Sequence, residues 1–590
     1  MESSVAPERA QDAATIAEAF RITARRHADE IAIRDREGAV TWTWGELLER
    51  VDALAGGLRG LGVERGSTVA LMFVNRPEFH LCDLAVVTAG GAPFSIYQTY
   101  TPDQIAYVVS DSGAKIVITE QAFLPQVLAA REQLPAVEHV ILIDPPADGL
   151  PEGVTALADV EGAGAGFDAD AAVAELEPED ILTLIYTSGT TGPPKGVQLT
   201  HRNVLSLVAG VEEVVGFPAG SSVISWLPAA HIAERGAHHY TPIVFGLEVT
   251  TVADPRAVLA VLPEVRPHWF FAVPRIWEKL KSGLEAAVHG MPEEERGRVE
   301  AGLAAAVERV RFQQAGEDVP ADVAAAADAA EETFARWRGM LGLDRVITIN
   351  VGAAPTPVEV LEFFHAIGLP LAELWGMSET SGVSSLNPPG AIRIGTVGPA
   401  FPGVEIKLAE DGEVLVRGPG VMLGYRNKPE QTAETIGEDG WLKTGDIGAF
   451  DEAGYLKIVD RKKEIIINAA GKNMSPANIE AHLKSSSPLI GQACCIGDRR
   501  PYNTALIVLD PDFAGAFAAQ HGIEDASLEA LAQHPEVIAE VQRGVDAANT
   551  HLARVEQIKK FTIIEGDWLP GGDELTPTMK LKRKPIAEKY

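Results

Sequence analysis

Only three cysteines, Cys82, Cys494 and Cys495, occur in 590 residues, and none belongs to a CxxC pair. Such spacing supports neither a disulfide framework nor a zinc site, because adjacent cysteines rarely bridge, and a reducing cytoplasm is the expected setting. Long apolar runs are also missing: no uninterrupted stretch reaches the roughly 18 residues that a membrane-spanning helix needs. The opening Met1-Glu2-Ser3-Ser4 has no basic segment followed by an apolar one. Neither secretion nor a membrane span is therefore expected, while peripheral membrane contact stays open. Positive charge is the third shortage. Fifty lysines and arginines face 83 acidic residues, for a net charge of −33. That balance argues against nucleic acid as a partner. It also repels small polyanions, so any site for one needs a local cluster of cations.

Two such clusters are present. Residues 457–472 carry Lys457, Arg461, Lys462, Lys463 and Lys472 against Asp460 and Glu464, and the last twelve residues carry Lys580, Lys582, Arg583, Lys584 and Lys589 against Glu588. The bulk composition, 46% hydrophobic and 23% charged, is that of a globular protein, and the length requires more than one domain. Short β-branched runs at 68–73, 116–119, 139–143, 181–186, 222–227 and 346–351 alternate with turn residues and helical stretches, which predicts an α/β fold with strands apolar on both faces. Residues 291–341, rich in Ala, Glu and Arg, read as inserted helices. From Gly395 short strands and turns predict a small antiparallel, barrel-like β subdomain, and beyond Asp460 a compact α+β block follows. The expected division is a large N-terminal domain over 1–459, with its β subdomain at about 395–459, and a small C-terminal domain over 460–590.

The residues that carry chemistry begin with Tyr186-Thr187-Ser188-Gly189-Thr190-Thr191-Gly192-Pro193-Pro194-Lys195-Gly196, directly after the apolar residues 181–185. Glycines let backbone N–H groups converge on an anion, the hydroxyls add donors, and Lys195 adds charge. The usual P-loop places Ser or Thr after the lysine, whereas Gly196 stands here, so this is a phosphate loop of another kind. Surface loops use the same residue types. We expect the loop between a strand and a helix that Thr200 caps at His201. Downstream, Leu374-Trp375-Gly376-Met377-Ser378-Glu379-Thr380 sets an aromatic plane near a carboxylate, and Glu379 with one hydroxyl suffices for Mg²⁺, which takes most of its ligands from water and phosphate. Asp446 follows a glycine in Trp441-Leu442-Lys443-Thr444-Gly445-Asp446, a placement suited to both hydroxyls of a ribose. Asp460-Arg461-Lys462-Lys463-Glu464, Gly471-Lys472-Asn473-Met474-Ser475-Pro476 and Leu575-Thr576-Pro577-Thr578-Met579-Lys580 complete the series.

This collinear set resembles the adenylate-forming superfamily of acyl-CoA synthetases, luciferases and adenylation domains, over about residues 14–584. The resemblance implies two half-reactions: a carboxylate displaces pyrophosphate from ATP, then a thiol such as that of coenzyme A takes the acyl group. It implies a small, mobile C-terminal domain that swings about a hinge at Asp460. Thr187 and Glu379 look like the Mg²⁺-associated pair, and Ser188, Gly189, Thr190, Thr191 and Gly192 with Lys195 like the pyrophosphate loop. Gly352, Ala353 and Ala354 resemble the segment lining the purine. Trp375 would stack on the base beside Gly376, Met377 and Ser378, and Asp446 and Arg461 look like ribose contacts. Lys463 matches a lysine near the hinge, and Lys580 the mobile lysine of the first half-reaction. Three positions depart from the pattern: Trp375 stands for Tyr, Ser378 for Thr, and Met579 for the glycine before the lysine, which keeps Lys582 as an alternative to Lys580.

Leu227-Pro228-Ala229-Ala230-His231-Ile232-Ala233-Glu234-Arg235 and Pro274-Arg275-Ile276-Trp277-Glu278-Lys279 resemble the bacterial long-chain fatty acyl-CoA synthetases. His231 is thus a candidate for orienting the carboxylate, and Trp269, Phe270 and Phe271 either wall an acyl tunnel or fill core. A fatty acid, ATP and coenzyme A are the expected small-molecule substrates. Loading of a carrier protein, or a medium-chain or aryl acid, is the alternative. An α-amino acid is disfavoured because residues 265–274 contain no acidic side chain to meet its amine. A non-catalytic binder is disfavoured by the joint presence of Lys580, Glu379 and Thr187.

Overall fold

Hydrophobic runs bounded by turns become the central strands of layered sheets in the computed structural model, which describes residues 8–147, 149–187, 193–469 and 472–590. A five-stranded sheet, all parallel, has the order Ala92–Ser95, Thr68–Met72, Ile116–Thr119, His139–Leu142, Val154–Ala156. Thr68–Met72 is buried at every position, as expected of a parallel strand with helices on both faces. A second sheet joins Ser222–Ser225, Glu248–Thr251 and Ile31–Asp35 in parallel, with Thr41–Thr43 antiparallel at its edge. A third aligns Trp269–Ala272, Thr348–Val351 and Leu371–Trp375 in parallel. Its strands deliver residues 352–354 and 375–379 at their carboxyl ends, where open α/β sheets place ligands.

The phosphate-loop sequence does not run from a strand into a helix. Ile181–Thr187 pairs antiparallel with Lys195–Thr200, so two antiparallel strands flank the loop in sequence and the helix begins only after the second. The expected cap holds: Thr200 accepts from the Asn203 amide and closes a capping box on helix His201–Val214. The inserted segment forms three helices, Glu293–Ala315, Ala321–Ala329 and Glu331–Met340.

The β subdomain is a four-stranded antiparallel sheet ordered Glu405–Leu408, Glu413–Arg417, Leu442–Phe450, Leu456–Arg461, extended by a bridge from Gly398 to Leu456. Its last strand carries Asp460 and Arg461. Beyond it, helix Pro476–Ser486 starts at a Ser475 cap, and Ile490–Ile496, Asn503–Leu509 and Ile558–Ile563 form a sheet with a core of its own. Among the described residues no helix is long and apolar enough to cross a membrane. All three cysteines are buried and unbridged.

One helix crossing in the N-terminal region tolerates no side chain. A Cβ on Gly57, in helix Trp44–Gly60, would lie 1.9 Å from the Val160 carbonyl oxygen in helix Leu157–Ala163, whereas one on exposed Gly60 meets nothing within 4 Å. Gly57→Ala is expected to destabilise by about 1–3 kcal/mol through overpacking. Gly60→Ala is expected to be neutral or stabilising by up to about 1 kcal/mol. Thermal unfolding of the two variants checks this contrast, and equal shifts would contradict it.

Candidate active site

The hairpin register sets the first part of the site. Thr187 pairs directly with Lys195, and the short strand Gly424–Tyr425 adds to the same sheet opposite Val197 and Gln198. This brings the Tyr425 ring beneath the Lys195 ammonium, 4.3 Å from the ring centroid, and lets the Tyr425 hydroxyl donate to Glu379 Oε1 at 2.8 Å. Burial and the adjacent Glu379 raise the Tyr425 pKa, so the hydroxyl stays a donor. Tyr425 was not identified from sequence. Its one local signal is a glycine–aromatic pair ahead of turn residues and Pro429. Ser188, Gly189, Thr190, Thr191 and Gly192 lie outside the described residues. The second carboxylate oxygen of Glu379 accepts no hydrogen bond among the described residues. No cluster of three or more His, Cys, Asp or Glu able to hold a metal occurs among them either. These donors suit a hard cation that takes one or two protein oxygens, not a metal caged by protein.

A second group forms where the third sheet meets the β subdomain. Gly352 leaves strand Thr348–Val351 at a point where a Cβ would sit 3.0 Å from the Leu374 carbonyl oxygen, and Ala353 follows in a left-handed conformation, φ +69°. Gly376 is equally constrained, its absent Cβ being 2.2 Å from the Gly382 oxygen. That close turn carries Met377 and Ser378 and starts the 3₁₀ turn Ser378–Thr380, which holds Glu379 at 8% exposure. Asp446 and Arg461 face each other across adjacent strands, Arg461 Nε lying 2.7 Å from Asp446 Oδ1. The Trp375 indole N–H donates to Asp446 Oδ2 at 2.8 Å, and the ring packs on Val414, Val416 and Leu456. Burial raises the Asp446 pKa, against the opposing pull of Arg461, Trp375 and Lys580.

The third group joins the two ends of the chain. Lys580 interacts electrostatically with Arg461, Asp446, Glu379 and Glu464. Its side chain is exposed by area, while the surrounding protein lowers the ammonium pKa, through desolvation first, with Arg461 adding to the effect. Lys580 also acts on His231. His231 caps helix Ile232–Arg235, its Nδ1 accepting from the Ala233 amide at 3.1 Å. That bond requires an unprotonated Nδ1, which leaves the neutral ring's proton on Nε2. Lys582 is otherwise engaged: its ammonium donates to the Gly572 carbonyl at 2.7 Å. Arg583 binds Glu464 and Glu480, Lys584 lies 3.8 Å from Glu588, and Lys589 pairs with Glu574. Of the five cations in the terminal cluster, Lys580 alone lacks a hydrogen-bond or ion-pair partner for its side chain among the described residues. Met579, standing where the family pattern has glycine, adopts φ +64°. Lys463 is exposed, and no hydrogen bond or ion pair ties it to the rest of the described residues. Trp269, Phe270 and Phe271 fill core: Trp269 stacks on Phe217 and Phe270 on Trp226, all buried.

Comparison with known proteins defines the class. The chain belongs to the AMP-binding enzyme family, whose model matches residues 20–426, and the model of the AMP-binding enzyme C-terminal domain matches residues 463–590. It is 51% identical over 442 residues to fadD11 of Mycobacterium tuberculosis, provisionally named a fatty-acid–CoA ligase, across 74% of this chain and 77% of that protein. It is 35% identical to the long-chain-fatty-acid–CoA ligase FadD15 of the same species, across 93% and 90%. Among solved structures, the anthranilate CoA ligase AuaEII in complex with anthranoyl-AMP shares the fold, with a TM-score of 0.74 at 20% identity over 100% of this chain and 99% of that one.

Two histidines make the fold sensitive to acid. His231 and His201 are both held to a pKa of about 4 by burial, against an ordinary 6.5. His201 Nδ1 accepts the Ile16 amide at 3.1 Å, as His231 Nδ1 accepts that of Ala233. Between those two pH values the unfolded chain binds more protons than the folded one, so stability falls as pH drops from about 6.5 and levels off below about 4. Thermal unfolding across this range should show the fall, and His201→Asn, which keeps an acceptor for Ile16, should flatten part of it. A melting temperature that rises on acidification through this range would refute the assignment.

Proposed function

We propose that this chain is an ATP-dependent fatty acid:CoA ligase that acts on long-chain acids. The observation that carries the reading is the unpaired ammonium of Lys580 beside Glu379 and Asp446, in a member of the AMP-binding enzyme family. Identity to named fatty-acid–CoA ligases along most of the chain supports the choice of acid.

In the first half-reaction a carboxylate oxygen bonds to the α-phosphorus of ATP as the bond to pyrophosphate breaks. In the second, the thiol of coenzyme A attacks the acyl carbon and AMP leaves. Neither step needs a covalent protein intermediate, so the protein acts by positioning repelling anions and stabilising charge. Lys195, with the loop 188–192, holds the β- and γ-phosphates. Thr187 and Glu379 hold Mg²⁺, which neutralises phosphate charge when bound. Asp446, oriented by Arg461 and Trp375, accepts from the ribose hydroxyls, while residues 352–354 and 376–378 border the purine. At 9% exposure Trp375 is better suited to holding Asp446 than to offering a free stacking plane. His231 donates from Nε2 to the acid's carboxylate. Lys580 bridges carboxylate and α-phosphate, and Lys463, near the hinge, serves around the nucleotide.

We place the domain boundary at Asp460, giving 1–459 and 460–590. Its carboxylate, on the last strand of the β subdomain, accepts from the Ser475 hydroxyl at 2.5 Å and from the Ala477 amide at the start of the next helix. A rotation there withdraws Lys580 and opens the site to coenzyme A.

Pyrophosphate release with palmitate, ATP and Mg²⁺, and thioester formation once coenzyme A is added, are the expected activities. No release with any acid from acetate to the longest soluble fatty acids would overturn the reading, and acyl-AMP without thioester would point to a carrier protein as acceptor. Lys580→Ala is expected to slow adenylation by about 10²–10³ while supplied acyl-AMP still reacts with coenzyme A. Lys582→Ala should spare both steps, and equal loss of both half-reactions in Lys580→Ala would remove the role assigned to it.

A further inference from the structure

The segment Pro274-Arg275-Ile276-Trp277-Glu278-Lys279 has no part in the site described, yet it touches the C-terminal domain. It opens helix Pro274–His289, and Arg275 Nη2 lies 2.5 Å from Asp510 Oδ2, the residue that caps helix Pro511–His521 across the domain interface. One turn further, Lys279 lies 3.3 Å from Asp512 and 3.9 Å from Asp510. The Arg275–Asp510 pair is shielded, with side chains 26% and 8% exposed, whereas His551–Glu359, at 3.7 Å and also between the two domains, is 56% and 41% exposed and correspondingly weak. A cation at a helix N-terminus gains nothing from its own helix dipole, so Arg275 depends on the acid opposite.

Each partner also has somewhere else to go. Asp510 Oδ1 accepts from the amides of Asp512 and Phe513, so Asp510 keeps its capping role if Arg275 leaves. Glu278 is buried at 6% exposure, lies 3.4 Å from Arg275 through Oε2, and has an Oε1 with no hydrogen-bond partner among the described residues. It is placed to take the guanidinium when Asp510 withdraws. A contact in which both sides retain a second partner can open without stranding a buried charge.

We propose that Arg275 is a positioning residue for the first half-reaction: paired with Asp510, and assisted by Lys279 and Asp512, it holds the C-terminal domain where Lys580 enters the site, and it passes to Glu278 when that domain turns away. This rests on the proposed two-step ligation. The domain arrangement itself can be read without substrate.

Dyes on Met340→Cys and Ile538→Cys, both exposed sites on opposite sides of the interface, report the closed population by energy transfer, and the native cysteines are buried. Arg275→Ala is expected to lower the closed population and slow adenylation about tenfold while supplied acyl-AMP reacts with coenzyme A at an undiminished rate. Glu278→Gln, which removes the charge that competes for Arg275, should raise the closed population. Should Arg275→Ala fail to fold, Lys279→Glu should lower that population and Asp512→Lys in the same chain should restore it. An unchanged dye signal in Arg275→Ala, equal loss of both half-reactions, or no restoration in the charge-swapped pair would overturn the proposal. A dye response in a protein that activates no acid would leave the clasp standing and remove the ligase reading instead.

Discussion

An ammonium with no hydrogen-bond or ion-pair partner among the described residues, that of Lys580, in a protein of net charge −33, is the condition on which the candidate site depends. Acidic side chains are abundant enough to neutralise every neighbouring cation of the C-terminal cluster, and they do so for Arg583, Lys584 and Lys589, while a backbone carbonyl holds Lys582. Lys580 is kept apart by a tight turn: the Thr576 amide donates to the Lys580 carbonyl, the Lys580 amide donates to the Thr576 hydroxyl, and Met579 takes a left-handed backbone at a cost of about 1–2 kcal/mol. Desolvation of that unpaired cation is unfavourable by itself, so contacts elsewhere help to hold the domain that carries it. Arg275–Asp510 and Lys279–Asp512 are contacts of that kind.

The Asp446 carboxylate shows the opposite solution to burial. It is almost inaccessible, and both of its oxygens are engaged before any ligand arrives, one by Arg461 and the other by the Trp375 indole. Burial pushes its pKa up while those two partners and Lys580 pull it down, so the ionised form depends on them. A tyrosine at 375 would present its donor at the end of a longer ring axis. The indole N–H is fixed at the side of the ring, where it meets Asp446 as the ring packs against Val414, Val416 and Leu456.

Much of this was legible in the sequence wherever one local signal sufficed. The strands at 68–72, 116–119 and 139–142 announced themselves as β-branched runs between turns, the Thr200 cap as a hydroxyl before a helical stretch, and the helices of 291–341 by composition. The placement of the phosphate loop was misread because Lys195–Thr200 alternates too briefly to mark a strand, and only its pairing with Ile181–Thr187 makes it one. Tyr425 escaped notice because its partners, Lys195 and Glu379, lie far from it in sequence. Lys580 and Lys582 differ in the fold by which of the two neighbouring ammonium groups finds a carbonyl, a property of the folded turn. The length of the acyl chain is harder still, since each buried methylene contributes only about 0.8 kcal/mol and selection depends on where a tunnel ends.

Behind His231 the sequence motif conceals a structure that its residue types do not suggest. Glu234 and Arg235, adjacent and charged, are both wholly buried. Glu234 accepts from Asn75, Ser225 and the Leu227 amide and contacts His238. Arg235 pairs with Asp83 and donates to Ser95, Tyr240 and the Ala229 carbonyl. Asp83 in turn meets His239, which lies against His80. Replacing such a network by apolar side chains often leaves stability unchanged or improves it, so stability is a poor account of it. What it does is geometric. Two of its bonds end on the backbone of Leu227 and Ala229, which leads into His231, and the network continues into the π-helical turn Gly236–Tyr240 that follows. The chain on both sides of His231 is thereby tied to fixed charges, while the ring is fixed by the Ala233 amide. With Nδ1 committed to that bond, the direction of the Nε2 proton is set by the backbone, and the backbone is set by Glu234 and Arg235.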